Sequence, residues 1–182
     1  QYPDREYVGY FAHAAGAQTC TDCHNPHSLT VEPNTCAACH ANVVGNEDFL
    51  AIRTQKPDYD GDLDTAEGIY GEITSLQSLL LDAIQQYARS VAGKPIVYAD
   101  QFPYFFIDAN DNGIADAEEI NMGNRYDAWT PRLLRAAYNY QFVKKDSGGY
   151  VHNPRYVIQL LHDSLMDLGK HVSLPDVRLL RP

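Results

Sequence analysis

The chain has 182 residues, 45% hydrophobic and 21% charged, with a formal net charge of −10 at pH 7. That supplies apolar matter for the core of one domain, while the acidic excess excludes an electrostatic match to nucleic acid and favours a basic docking face on a partner. No apolar run reaches the length of a membrane span, and a start at Gln1 without Met, basic n-region or apolar h-region reads as an exported chain whose signal peptide has been removed.

Residues 1–45 are rich in small and turn-forming residues and carry all four cysteines, in Cys20-Thr-Asp-Cys23-His24 and Cys36-Ala-Ala-Cys39-His40. Cys-x-x-Cys-His is the attachment signature of c-type haem. The cysteines form thioethers to the porphyrin vinyls, and the adjoining histidine stands under the iron as an axial ligand. The same cysteine spacing approximates a four-thiolate zinc site. Such a site needs no histidine after each pair, however, and the chain holds only 7 histidines. Two chance placements have odds of roughly one in several hundred on that composition. The expected cofactors are two covalent haems c, with zinc as the alternative, and no cysteine is left for a disulfide. Haem attachment of this kind occurs outside the cytoplasm, which places the protein in the periplasm, at the cell surface or in the extracellular space.

Residues 46–62 read as a polar loop, with Lys56-Pro-Asp-Tyr-Asp-Gly61 as turn signals. A helix follows, with Ile69, Ile73, Leu76, Leu80, Ile84, Tyr87 and Val91 at spacings of three and four. Asp64 or Thr65 is the expected cap, and Gly93 with Pro95 the stop. Residues 96–107 look extended and aromatic. Asp108-Ala-Asn110-Asp-Asn112-Gly113-Ile114-Ala-Asp116-Ala-Glu-Glu119 fits the calcium-loop pattern D-x-[DN]-x-[DN]-G-x5-E. Oxygen ligands would come from Asp108, Asn110, Asn112, the Ile114 carbonyl, Asp116 and Glu119. Ala115 stands where a paired EF-hand carries a branched apolar residue, so a lone structural Ca2+ loop is expected. The alternative is a solvated acidic turn capping a helix that starts near Asp116.

Two more helices follow. One opens at Thr130-Pro131 and runs through Leu134, Ala137 and Tyr138 to about Lys145. The other opens at Asn153-Pro154 and carries Val157, Leu160, Leu161, Leu165 and Leu168 before Gly169, with Gly148-Gly149 as the break between them. The expected fold is mainly α: a loop-rich di-haem segment over 1–45, then long helices over 46–182 with little or no sheet, forming one continuous domain.

Five histidines remain for the distal iron positions: His13, His27, His152, His162 and His171. His13 precedes the first haem cysteine in Tyr-Phe-Ala-His13-Ala-Ala-Gly-Ala-Gln-Thr-Cys20. Near the other end, Arg135-Ala-Ala-Tyr-Asn-Tyr-Gln precedes Gly149-Tyr-Val-His152-Asn-Pro. These stretches, residues 10–40 and 130–168, resemble the last two haem sites and closing helices of pentahaem cytochrome c nitrite reductases, and small multihaem cytochromes related to them. The resemblance implies that His13 is the distal ligand of the haem on Cys36/Cys39, and His152 that of the haem on Cys20/Cys23. The chain departs from the reductases in lacking a Cys-x-x-Cys-Lys motif, which there holds the catalytic haem. It also carries His27 in Cys-His24-Asn-Pro-His27, a pattern similar to the paired motif of many multihaem cytochromes. His27 has three readings: ligand of the Cys36/Cys39 haem, which would free His13; ligand of a haem in another subunit; or no ligand. His162 and His171 read as helix-surface residues. Tyr7, Tyr10, Phe11, Tyr138, Tyr140 and Phe142 are candidates to line the haem faces, with core packing as the alternative.

The functional expectation is an exported di-haem cytochrome that carries electrons through two closely spaced bis-histidine haems and is not an enzyme. Redox proteins or an extracellular electron acceptor are the expected partners. The alternative is a subunit of an extracellular cytochrome filament, a homopolymer joined through His27; a haem reductase ranks behind both because it needs an open iron.

Overall fold

A computed structural model describes residues 1–182. The architecture is mainly α. Two short helices, α1 (Cys20–Cys23) and α2 (Pro33–Ala37), carry the cysteine motifs; α3 (Ile69–Tyr87), α4 (Pro131–Lys145) and α6 (Pro154–Leu168) build the core; α5 (Gly149–His152) is one turn between the last two. The only sheet is an antiparallel hairpin of β1 (Ile96–Tyr98) and β2 (Phe105–Ile107), in register Ile96–Ile107, Val97–Phe106 and Tyr98–Phe105.

Helix α3 buries Ile73, Leu76, Leu80, Ile84 and Tyr87, the stripe its spacing predicts. Its start differs from expectation. Gly68 is the N-cap, and Asp64 accepts from the Ala66 and Glu67 amides in the preceding turn, so neither Asp64 nor Thr65 caps the helix. Past Tyr87 the chain widens into a π turn, Ala88–Ala92, which leaves Val91 exposed before Gly93 closes the helix at φ +73°. That left-handed conformation suits glycine.

Helices α4 and α6 begin where their caps predict. Thr130 accepts from the Leu133 amide and Asn153 from the Tyr156 amide, each followed by proline in the first turn. On α4 the inward face is Leu133, Ala136, Ala137, Tyr140 and Val143, while Leu134 and Tyr138 face solvent. Helix α6 is buried almost all round. Its apolar side meets α3 and α4. Its polar side is covered by the two ends of the chain: Val8 N donates to Gln159, Tyr7 Oη to Asp163, and Arg181 to Asp163. His162 is therefore 9% exposed, not the surface residue expected from sequence, because that covering comes from sequence-distant segments. Burial lowers its pKa against the opposing pull of Asp163.

The 46–62 segment is also more ordered than a polar loop. It contains a 3-10 helix, Asn46–Ala51, that buries Phe49, and it buries Tyr59 and Asp60 against α3. Arg53 bonds Glu72, which is fully buried and also accepts from the Tyr59 and Asp60 amides. Within residues 1–45, by contrast, only Tyr2 and Val43 are buried.

Candidate haem-binding site

The cysteine motifs occupy two short, nearly solvated turns. In the first, Asp22 accepts from the Gln18 and Thr19 amides, which fixes the entry to α1. These two bonds, that to Thr19 the stronger, hold its carboxyl below the usual range. Pro33 opens α2 and presents Cys36. All four thiols are free. Cys36 is partly covered, and burial, followed by the nearby Cys23, raises its thiol pKa. No three Cys or His ligand atoms come within 4.8 Å of one another. The thiols thus do not converge as a shared zinc site requires.

The histidine rings are paired. His13 stands opposite His40 with ring centroids 6.4 Å apart. His24 stands opposite His152, also at 6.4 Å. Two imidazoles bound to one metal from opposite sides at about 2 Å each, plus the ring radii, bring the centroids to about 6 Å. The centroid separation of each pair is thus of the size that one metal between two imidazoles requires, and His40 and His24 each directly follow a cysteine motif in sequence. His27 lies in an exposed turn, its amide donating to Asn25 Oδ1, and its ring joins neither pair.

Three contacts orient the His24/His152 pair. His24 Nδ1 lies 2.8 Å from the Leu29 carbonyl, so that nitrogen carries the proton and Nε2 is left as donor to a metal. His152 Nδ1 lies 3.3 Å from Asp146 Oδ1, with the same consequence. Gly148 packs flat against the His152 ring; a Cβ there would lie 2.8 Å from Nδ1, inside contact distance. Sequence reasoning found the four rings but missed Leu29, Asp146 and Gly148. A carbonyl leaves no trace in residue type, and Asp146 reaches His152 only through the turn at Gly148.

Apolar surface is left uncovered around the pairs. Tyr10 is 78% exposed and Tyr138 68%, and Leu29, Val44 and Phe142 are open as well. Tyr138, Gln141, Phe142, Lys145 and Asp146 line an open groove of about 460 Å³ beside the His152 anchor. Phe11 meets His13 edge-on. Tyr140 instead belongs to the core, and Tyr7 serves Asp163. Exposed aromatics beside paired imidazoles and free thiols fit a flat, apolar group attached at each motif.

The calcium-type loop folds back on itself. Asp108 accepts from the Asn112 and Gly113 amides, Glu119 from the Ala109 and Asp116 amides, and the Asn110 and Asn112 amides donate to Asp116. The Asp108 and Glu119 side chains are buried and that of Ile114 is exposed. A turn follows Asp116, and no helix starts there. Arg89 bonds Asp111, and Gln85 donates to the Gly113 carbonyl, docking the loop on α3.

No family model matches the chain, and no solved structure matches it. Among curated proteins it is 27% identical over 201 residues to the C-type polyheme cytochrome OmcB of Geobacter sulfurreducens, in two strains, covering 91% of this chain and 24% of that protein. It is 31% identical over 109 residues to the C-type polyheme cytochrome OmcC of the same species, covering 56% of this chain and 14% of that protein. The chain is similar to multihaem c-type cytochromes. It spans about a quarter of the length of OmcB, the relative it matches most extensively. No helix is long and apolar enough to cross a membrane.

Proposed function

We propose that the chain holds two covalent haems c and passes electrons between them as an exported electron carrier. The observation that carries this reading is the pairing of His13 with His40 and of His24 with His152, each with ring centroids 6.4 Å apart. Cys20 and Cys23 would anchor the group between His24 and His152. Cys36 and Cys39 would anchor the one between His13 and His40. These are the pairings the nitrite-reductase resemblance implies. Haem supplies one-electron chemistry when bound. The cysteines of this chain would attach it, the four paired histidines would hold its iron, and Tyr138, Phe142 and Phe11 would supply apolar contact. With no iron position left open, neither site binds a substrate, which favours a carrier over a reductase. The Asp108–Glu119 loop belongs to the same proposal as a structural Ca2+ site bracing the hairpin end against α3. Redox proteins or an extracellular acceptor are the proposed partners.

His27 supports a second reading. It is exposed and joins neither internal pair, so it is free to ligate a haem of another subunit in a homopolymer.

Electron paramagnetic resonance of the oxidised protein tests the assignment. Wild type should show two low-spin haems. His13→Ala and His152→Ala should each convert one of the two to high spin, while His27→Ala should leave both low-spin in the isolated chain. A low-spin pair that survives His152→Ala would overturn the ligand set.

A further inference from the structure

The segment before α3 contains a second group of converging acids. Its residues run Asp58-Tyr-Asp60-Gly-Asp62-Leu-Asp64-Thr-Ala-Glu67. Carboxylate oxygens of Asp60, Asp62 and Glu67 lie within 4.8 Å of one another, and Asp60 also stands within that distance of Asp58 and Glu72. Most of these groups have work in the fold. Asp58 accepts from the Gly61 and Leu63 amides, and Glu72 is matched by Arg53 and two amides. Asp60 is different. It is 3% exposed, its Oδ1 accepts from the Asp62 amide, and its Oδ2 is buried with no hydrogen-bond partner. The Ser75 hydroxyl is the nearby donor and favours the charged form, but it does not reach hydrogen-bond geometry on Oδ2.

Glu67 repeats the arrangement. Its Oε1 is buried and also lacks a partner. The carboxylate packs directly over Gly71 of α3, where any Cβ would collide with it. No lysine or arginine pairs with Asp60, Asp62 or Glu67; Arg53, the nearby cation, is held by Glu72. Two buried oxygens without hydrogen-bond partners, on two members of one acidic cluster, are costly unless a cation completes them. Burial raises the Asp60 carboxyl to about 6; burial and then the charge of Asp60 raise Glu67 to about 7.

We propose that Asp60, Asp62 and Glu67 form a second cation site, distinct from the Asp108 loop and specific for a hard divalent ion of the calcium class. The donor set is all oxygen, with no sulfur or imidazole, which selects calcium over transition metals. The ion would take Asp60 Oδ2 and Glu67 Oε1 and stitch the loop to the first turn of α3. Asp58 and Glu72 would shape the loop around it through their amide bonds. The site does not depend on the haem assignment.

Calcium binding to the haem-loaded full chain, after chelation and dialysis, tests this without reference to electron transfer. Asp108→Asn silences the other loop, and equilibrium dialysis at about 1 mM calcium, where extracellular calcium modules fill, counts what remains. One calcium per chain is expected in that background, with a higher melting temperature than in chelator. Adding Asp62→Asn, an exposed substitution the fold tolerates, should weaken binding at least tenfold. Adding Asp60→Asn and Glu67→Gln should abolish the calcium-dependent rise while leaving the melting temperature in chelator no lower than before, because the buried like charges are removed. Absence of calcium from the Asp108→Asn protein, or equal affinity with and without Asp62→Asn, would overturn the site. The Soret band and spin state, read on the same samples, report the haem assignment independently.

Discussion

At the scale of single residues, Asp146 sets the two histidine pairs apart. Its carboxylate holds His152 Nδ1, whereas no acceptor holds the ring nitrogens of His13 or His40. A carboxylate partner gives an imidazole anionic character and stabilises the oxidised metal behind it. In the proposed di-haem protein, Asp146→Asn should therefore raise the reduction potential of the haem held by His152 and leave the other in place. A tenfold loss of that preference corresponds to about 59 mV for one electron. Spectroelectrochemical titration would show one wave moving; two unmoved waves would remove Asp146 from the site. The same residue shows where sequence reading stops. The four histidines that the structure pairs were singled out in the sequence, His24 and His40 by their local motifs and His13 and His152 by the surrounding residues. Asp146 becomes a partner only through the turn at Gly148. Asp60 was hidden differently: Lys56–Gly61 has the composition of a solvated turn, and its burial depends on α3.

At the scale of elements, the core is a three-helix packing of α3, α4 and α6 with a hairpin laid against it. Leu161 on α6 is fully buried among these helices. Leu161→Ala should lower stability by about 2–5 kcal/mol through lost burial and a residual cavity. Thr130→Ala, which removes one cap bond from α4, should cost about 1 kcal/mol. Denaturant unfolding of both variants checks the ranking, and a reversal would mean that α6 is not the central helix. The starts of α4 and α6 were readable because Thr130-Pro131 and Asn153-Pro154 act within one turn. The start of α3 was not, because Asp64 closes a turn before the helix. The polar face of α6 was misjudged at His162 for the reason that misleads any helix wheel: its partners lie at both ends of the chain.

At the scale of the molecule, those ends meet over Asp163. Burial pushes the Asp163 carboxyl up, but bonds from Arg181, Tyr7 and His162 outweigh it, so the net pKa is below the ordinary value. A carboxyl depressed in the folded state adds stability above its unfolded pKa, near 3.9, and loses it as pH falls through the lower folded value. Arg181 also donates to the Glu6 carbonyl, so one guanidinium joins the C-terminal tail, α6 and the N-terminal segment. Breaking a buried pair costs about 3–5 kcal/mol, and the partial exposure of Arg181 puts this one at the low end. Arg181→Gln should melt lower than wild type at neutral pH, and the difference should shrink below about pH 4. A pH-independent difference would assign the loss to packing instead of charge.

Asn153 joins the segments that carry His13 and His152 mechanically. Its Oδ1 starts α6 directly after His152, and its Nδ2 holds the Gly9 carbonyl on the segment that leads to His13. The two pairs nevertheless close on different schedules. His13 and His40 belong to one short stretch and can meet early. His24 and His152 close a loop over most of the chain, and slow, non-local closure follows from that separation. Under the proposed ligand set, the partner of His24 would therefore arrive only when the last helix docks, long after the His13–His40 pair could form.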